Sequence, residues 1–230
     1  MILKIIKLKQ EAKASFSITF EKPGNFNFYP GQYLDIELST KERNKTRIFS
    51  ISSSPSEEFV MITYKEGLSK YKMQLRELQP GNTIESSHPA GTVVIDDSAP
   101  IVMLAGGIGI APHRSMIKWA VDRKLNLPIT LIYSNSDDNF IFKKELDQWM
   151  KLYPKLTIYY VVTSKNGRLN EERIQKFLTS HLNNPTSHLP HLTSIHYLAG
   201  PPKMVDNFEE ILLNLGVDSV NIRTDRFDGY

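Results

Sequence analysis

The stretch Ile101–Met116 constrains the fold of this chain most, because it combines a strand, a glycine turn and a helix start. It opens with a short apolar run, which is too short for a helix and typical of a strand buried on both faces. Gly107 and Gly109 let the backbone turn tightly and approach a ligand, since no Cβ intervenes. Pro112 suits a first helical turn, where its missing N–H costs nothing. Together these features predict a phosphate-binding turn.

The same stretch departs from the usual dinucleotide fingerprint. Pro112 stands where G-x-G-x-x-G has its third glycine, and no acidic residue ends the next predicted strand. A plain structural turn is compatible with the same residues, so both alternatives stay open on this motif alone.

The composition excludes several classes of protein. The 230 residues contain no cysteine, which excludes disulfides, thiolate zinc sites and cysteine-ligated iron–sulfur clusters and favours a cytoplasmic location. A net charge of +3 is too small for a nucleic-acid-binding surface. Every apolar run is shorter than the ~18 residues of a membrane span. Lysines interrupt the apolar run in Met1–Lys9, which predicts a strand instead of a signal peptide.

The pattern divides the chain into two domains, 1–97 and 98–230. In the first, about six short segments alternate apolar and polar residues, as at Phe16, Ile18 and Phe20, and predict a small closed antiparallel barrel. In the second, strands alternate with helices, which predicts a doubly wound parallel sheet. Its strand candidates are Ile101–Ala105, Ile129–Tyr133, Leu156–Val162, Ile195–Ala199 and Val217–Ile222.

Two segments of the barrel half carry residues suited to a nucleotide. Arg47–Pro55 begins with a guanidinium, which offers a planar fork of donors to a diphosphate, and alternates apolar residues with hydroxyls. Tyr64–Ser69 is a strand end that opens into a glycine turn and a helix, where amides and a hydroxyl can hold an anion. An edge strand decorated with serines is the alternative for the first segment.

Histidines cluster late in the chain, at His181, His188, His191 and His196. The prolines between them leave no defined ligand geometry, so we expect no metal site. Because no G-x-S-x-G accompanies them, we do not expect a hydrolase triad.

Four motifs occur together in a characteristic order: R-I-F-S, G-G-I-G-I-A-P, Y-S-N-S-D-D-N-F-I-F-K-K-E-L and A-G-P-P-K-M, followed by a terminal F-D-G-Y. With them the chain resembles the ferredoxin–NADP⁺ reductase family of flavoenzymes over nearly its whole length. The resemblance implies an N-terminal flavin barrel, a C-terminal nicotinamide domain, and hydride transfer between the two.

The resemblance also implies roles for residues of the barrel half. Arg47 would bind the flavin pyrophosphate, together with Gly67 and Ser69. Phe49 would lie against the flavin, and Ser50 near its N5 atom.

In the second half, the resemblance implies a nicotinamide-nucleotide loop formed by Gly107, Gly109 and Pro112, with Gly200 and Pro201 beside it. This chain departs from many relatives at two further positions. Ala199 stands where they carry a cysteine, and Ser136 stands where they carry an arginine.

The implied activity is that of an FAD-dependent oxidoreductase, which takes a hydride from NAD(P)H and passes electrons to a separate carrier such as ferredoxin or flavodoxin. A reductase of free flavin or ferric complexes is one alternative. A non-catalytic flavin or nucleotide sensor that binds partners is the other.

Two finer expectations follow. The turn Thr163–Arg168 lies where the family binds the adenosine ribose, and Ser164, Lys165 and Arg168 favour the 2′-phosphate of NADPH over NADH; a solvated basic turn is the alternative. Tyr230 is expected to cover the flavin and to move before nicotinamide reacts; the alternative is a frayed chain end.

Overall fold

The computed structural model describes residues 1–38, 46–179 and 190–227. The first half forms one six-stranded sheet with the order β4-β3-β6-β1-β2-β5, and all its strand pairs are antiparallel. Its elements are β1 (Ile2–Ala12), β2 (Ser15–Glu21), β3 (Tyr33–Glu37), β4 (Thr46–Ser50), β5 (Phe59–Lys65), helix α1 (Lys70–Glu77) and β6 (Thr83–Ser86).

The two outer strands of this sheet meet and close it into a barrel. Ile51, just after β4, bridges to Ile62 of β5, and the amide of Ser52 donates to the carbonyl of Met61 over 2.7 Å. The barrel interior is filled by buried apolar side chains, among them Leu3, Ile5, Ile18, Phe20, Leu34, Ile36, Ile62 and Leu75. The predicted closed antiparallel barrel is therefore confirmed.

The second half is a parallel sheet with the order β11-β10-β7-β8-β9 and helices on both faces. Successive residues of β7 face opposite cores, Met103 one and Val102 and Leu104 the other. The predicted doubly wound sheet is confirmed. Its elements are β7 (Ile101–Gly106), α2 (Ile110–Asp122), β8 (Ile129–Asn135), α3 (Lys143–Leu152), β9 (Leu156–Val162), α4 (Thr163–Asn166), α5 (Glu171–Thr179), β10 (Ile195–Gly200), α6 (Pro202–Asn214) and β11 (Ile222–Arg226).

The predicted position of the fifth strand was wrong. The segment Ser219–Asn221 is a 3₁₀ turn, because the Asp218 carboxylate accepts a hydrogen bond from the amide of Val220 over 3.0 Å. Val217 is buried just after α6, and its amide donates to the carbonyl of Leu212 in that helix. The strand therefore begins only at Ile222.

A buried arginine joins the two halves. Arg114 of α2 is 2% exposed, and its guanidinium contacts Glu57 of the barrel and Glu145 of α3, each at 2.9 Å. It also donates to the carbonyl of Ser52 over 2.7 Å. The barrel's last strand ends at Ser86 and the parallel sheet begins at β7, so the division at 97/98 falls between them and stays a prediction. Within the described ranges, no helix is both long and apolar enough to cross a membrane.

Candidate functional site

A cleft of about 840 Å³ opens at the carboxyl edge of the parallel sheet. Its walls are the glycine turn after β7, the loops after β8 and β9, and the start of α6. The barrel contributes Lys13 and Ala14 from the β1–β2 turn and Lys65 from the end of β5. The neighbours β7 and β10 are the strands from which the sheet grows in opposite directions, which is where doubly wound folds bind ligands.

The three predicted residues of the glycine loop take different positions. Gly107 lines the cleft with φ +54°, a left-handed conformation that favours glycine. Gly109 is buried, and a Cβ there would overlap the carbonyl group of Ala199, so its glycine serves the packing of the helix start against β10. Pro112 is also buried, in the first turn of α2 as predicted. Contact of Gly109 and Pro112 with a cofactor stays a prediction.

Gly200 and Pro201 form the opposite side of the turn region. Gly200 has φ +147°, and a Cβ on it would meet the Met204 Cε atom. A Cβ on Gly106 would meet the same Met204 side chain, so the thioether lies between the two glycine turns. Pro201 and Met204 both line the cleft. Met204 is the last residue of the A-G-P-P-K-M motif, and the sequence predicted no contact of Met204 with the cleft.

On the barrel side, β4 presents a cation and an aromatic ring together. The Arg47 guanidinium lies 5.2 Å from the centre of the Tyr71 ring. Phe49, two residues along the same strand, stacks on Tyr71 at 6.2 Å with an angle of 23°. Tyr71 is fixed by its own hydroxyl, which donates to the carbonyl of Ile36 over 2.7 Å. The sequence analysis missed Tyr71, which lies on α1, remote from β4 in the chain.

The turn before α1 brings Gly67 and Ser69 next to a further lysine. The Ser69 hydroxyl caps α1 by accepting a hydrogen bond from the amide of Lys72 over 3.3 Å. A Cβ on Gly67 would lie 2.8 Å from the Lys72 Cδ atom, so this side chain folds back over the glycine. Burial, with Lys65 nearby, lowers the pKa of Lys72. Lys72 was not predicted as a site residue, although its position three residues after Ser69, the predicted anion-binding serine, could have indicated it.

Ser50 contacts a carboxylate of the other half. Its hydroxyl lies 3.5 Å from the Asp225 Oδ2 atom, and Asp225 sits on β11 beside Ala199. Burial raises the pKa of Asp225 to about 6, although the hydrogen bond from Ser50 acts in the opposite direction. Asp225 was not among the predicted site residues, because the predicted last strand ended at Ile222, before it.

Of the three residues predicted to contact the adenosine ribose, one lines the cleft and two do not. Arg168 lines the cleft. Lys165 is exposed and lies 3.4 Å from the Asp138 carboxylate, and the amide of Ser164 donates to the carbonyl of Ser136 over 3.2 Å. Neither Ser164 nor Lys165 is among the described residues that line the cleft.

Several predictions concern residues 180–189 and 228–230, which lie outside the described residues. Tyr230 is one of them, and His181 and His188 are others. The described chain ends at Phe227, whose amide donates to the carbonyl of Gly200 over 2.9 Å.

Comparisons with known proteins give relatives for both halves. Residues 103–210 match the family model of the oxidoreductase NAD-binding domain. Flavohemoprotein B of Dictyostelium discoideum is 27% identical over 223 residues, which cover 87% of this chain and 52% of that protein. Reductase component 1 of terephthalate 1,2-dioxygenase from Comamonas is 25% identical over 208 residues, covering 87% and 59%. The chain thus spans between half and three fifths of these relatives.

Solved structures share the fold over both halves. The FAD/NAD-binding domain of nitric oxide dioxygenase from Vibrio cholerae superposes with a TM-score of 0.80 at 18% identity, covering 98% of each chain. Ferredoxin–NADP⁺ reductase from Plasmodium falciparum, solved with 2′P-AMP, gives a TM-score of 0.80 at 18% identity, covering 98% and 95%. Residues 103–210 thus form an oxidoreductase NAD-binding domain, and the whole chain shares its two-domain fold with these FAD- and NAD-binding reductases.

Proposed function

We propose that this chain is an FAD-dependent oxidoreductase, which takes a hydride from NADPH or NADH and passes electrons to a separate acceptor. The observation that carries the proposal is the contact of Ser50 with Asp225, whose oxygens lie 3.5 Å apart. Ser50 ends the barrel strand that would hold the flavin, and Asp225 pairs with Ala199 of β10, two residues before Pro201 of the cleft wall. This contact joins the strand predicted to hold the flavin to the sheet predicted to hold the nicotinamide, which supports hydride transfer between the two.

The barrel residues fit a flavin dinucleotide. Arg47 and Lys72 supply cations, and the cap of α1 supplies amides, all suited to a diphosphate that FMN lacks. Phe49 and Tyr71 supply stacked aromatic rings. Bound FAD would accept the hydride and release electrons singly.

The cleft fits a nicotinamide dinucleotide. Its volume of about 840 Å³ lies within the ~300–1,000 Å³ typical of small-molecule sites. Lys13, Lys65, Arg168 and Lys203 bring cations to it from four separate segments, which suits a ligand with several phosphates. Gly107 lets the backbone approach that ligand without a side chain between them.

Asp225 and Ser50 would hold a proton at the meeting point. With a pKa of about 6, the Asp225 carboxyl is protonated for part of the time near neutral pH. Ser50 both donates and accepts hydrogen bonds, so it links the carboxyl of the sheet to the face of the barrel.

We further propose that NADPH is preferred over NADH and that Arg168 carries the preference. A 2′-phosphate attracts a guanidinium on the cleft wall, whereas an unmodified ribose is better matched by a carboxylate. Lys165, predicted to share this role, is paired with Asp138, and neither residue is among those that line the cleft.

The acceptor would be a separate electron carrier such as ferredoxin or flavodoxin, or the oxygenase component of a multi-component system. A terephthalate dioxygenase reductase component and a glycine betaine monooxygenase reductase subunit among the relatives support this proposal.

The decisive experiment mixes purified FAD-loaded protein with NADPH or NADH without oxygen and follows the flavin absorption. Rapid bleaching is expected, since both cofactors meet at Ser50. A flavin that stays oxidised would contradict the proposal and favour a sensor. Reoxidation of the reduced protein by a panel of ferredoxins, flavodoxins, free flavin and ferric complexes then identifies the acceptor class.

A further inference from the structure

One buried hydroxyl ties together two walls of the cleft. Tyr133 on β8 is fully buried and donates its hydroxyl proton to the carbonyl of Gly107 over 2.9 Å. The amide of Ile141 donates to the same hydroxyl oxygen over 3.2 Å. Gly107 belongs to the turn after β7 and Ile141 to the loop after β8, and both line the cleft. The phenol therefore holds these walls in one relative position.

The surroundings of Tyr133 leave its hydroxyl little freedom. The Phe140 ring packs edge-on against the phenol ring, with centres 4.9 Å apart. Burial raises the pKa of Tyr133, so the phenol keeps its proton throughout the neutral range. A phenol has one proton to donate, and here the carbonyl of Gly107 receives it.

This hydrogen bond helps to fix the direction of a neighbouring amide, together with the amide of Ile110, which also donates to the carbonyl of Gly107. The carbonyl of Gly107 and the N–H of Ile108 belong to one planar trans peptide unit, so they point in opposite directions. The Tyr133 hydroxyl and the Ile110 amide both hold the carbonyl on their side, and the N–H of Ile108 is therefore directed away from the Tyr133 hydroxyl. Ile108 lines the cleft, and glycine at φ +54° allows this orientation without strain from a Cβ.

We propose that Tyr133 is a positioning residue, which aims the Ile108 N–H at the diphosphate of the nicotinamide dinucleotide. The proposal rests on the proposed function, because it requires a dinucleotide in the cleft. An amide at the start of a helical turn has no acceptor within that turn and binds an anion well. The diphosphate is common to NADPH and NADH, so the effect of Tyr133 is the same for both.

The test variant is Tyr133→Phe, which removes the hydroxyl and keeps the ring. Tyr197→Phe is the matched control. The Tyr197 hydroxyl also donates to a backbone carbonyl, that of Val94 over 2.9 Å, and accepts from a backbone amide, that of Asp96 over 2.8 Å. It is likewise buried, but it lies outside the lining of the cleft. Both variants lose the same chemical group from the same sheet.

Calorimetry on the FAD-loaded proteins would measure the Kd values of NADPH, NADH and adenosine 2′-phosphate, which lacks a diphosphate. Tyr133→Phe is expected to weaken both dinucleotides by the same factor, about tenfold, since a hydrogen bond to a charged group is misdirected. The Kd of adenosine 2′-phosphate should change less than about twofold, because this ligand has no diphosphate for the Ile108 N–H to bind. Tyr197→Phe should leave all three ligands unchanged while lowering Tm comparably.

A second variant covers the case in which Tyr133→Phe does not fold. Ile108→Pro removes the N–H itself at a position in a first helical turn, where proline is tolerated. Ile108→Pro should weaken the binding of both dinucleotides by the same factor, and Ile108→Ala serves as the control for the loss of the side chain.

Equal weakening of all three ligands, unchanged dinucleotide binding, or the same selective loss in Tyr197→Phe would overturn the role of Tyr133. A wild-type protein that binds neither dinucleotide would instead reject the proposed function, and the role of Tyr133 with it.

Discussion

The candidate site of the barrel is built mainly from side chains, whereas that of the parallel sheet is built mainly from backbone. The barrel uses side chains, with Arg47 and Phe49 on the same face of β4 and both in contact with Tyr71. The sheet uses backbone, with Gly107 and Gly200 in conformations that favour glycine where its strands end. A flat antiparallel surface projects side chains, whereas the carboxyl edge of a parallel sheet presents turns and helix starts. The barrel site should therefore respond to side-chain truncation, and the sheet site to changes in its backbone.

The largest effect is expected where the two regions join. Arg114→Met leaves the Glu57 and Glu145 carboxylates without their buried cation, which should lower the free energy of unfolding by about 3–5 kcal/mol. Urea titration followed by fluorescence measures this. Lys118→Met, which removes a cation from the partly exposed pair with Asp122 on the same helix, is the control and should change stability by less than about 1 kcal/mol. If Arg114→Met and Lys118→Met both unfolded at the urea midpoint of the wild type, the Arg114 network would not hold the two halves together.

The next prediction concerns the side-chain site. Arg47→Ala should weaken FAD binding by about 2–5 kcal/mol, because a diphosphate would lose a desolvated cation. Equilibrium dialysis of FAD gives the change in Kd. Lys70→Ala, which removes an exposed lysine at the start of α1, serves as the control. Unaltered FAD affinity in Arg47→Ala would remove Arg47 from the flavin site.

The backbone site is tested by two glycines of one turn. Gly109→Ala should destabilise the protein by about 3 kcal/mol, because its Cβ would overlap backbone atoms of Ala199. In Gly107→Ala the nearest atom, Asn135 Oδ1, is 4.0 Å away, so only the strain of φ +54° remains, at about 1 kcal/mol. Thermal unfolding ranks the variants. If Gly107→Ala destabilised the protein more, the close approach of α2 to β10 would not be the reason for Gly109.

A pH effect is expected where the two sites meet. Asp225 has its pKa raised from 3.8 to about 6, so the folded state binds more protons between these values. The free energy of unfolding should therefore fall as pH rises from 4 to 6, by about 2–3 kcal/mol. Asp225→Asn should remove this part of the pH dependence. Superimposable stability curves for the two proteins would show that the carboxyl is not held in its neutral form.

The smallest effect separates two cations of one turn. Arg168→Gln should reduce the preference of kcat/KM for NADPH over NADH by about 1 kcal/mol, roughly fivefold. Lys165→Gln should leave the preference unchanged, because Lys165 pairs with Asp138 outside the cleft lining. The opposite ranking, or a preference for NADH in the wild type, would contradict the assignment.

Local patterns in the sequence predicted much of this molecule. Alternation of apolar residues predicted the barrel strands, and the strand, glycines and Pro112 of Ile101–Met116 predicted β7, the turn and α2. These features depend on neighbours in the chain, whose periodicity is independent of tertiary contacts. The predicted position of the fifth strand was wrong because the Asp218 side chain caps a turn, and a pattern of apolar residues does not reveal such a hydrogen bond.

Only the tertiary structure decided which residues from distant segments share a site. Asp225 lies beside Ser50, and Tyr133 holds Gly107, although neither pair is marked by a shared motif. The sequence by itself determined the elements and their order, because these follow from local backbone and burial preferences. It left open the contacts between elements, because these depend on how the elements pack within each domain and, for Ser50 and Asp225, on how the two domains dock around Arg114.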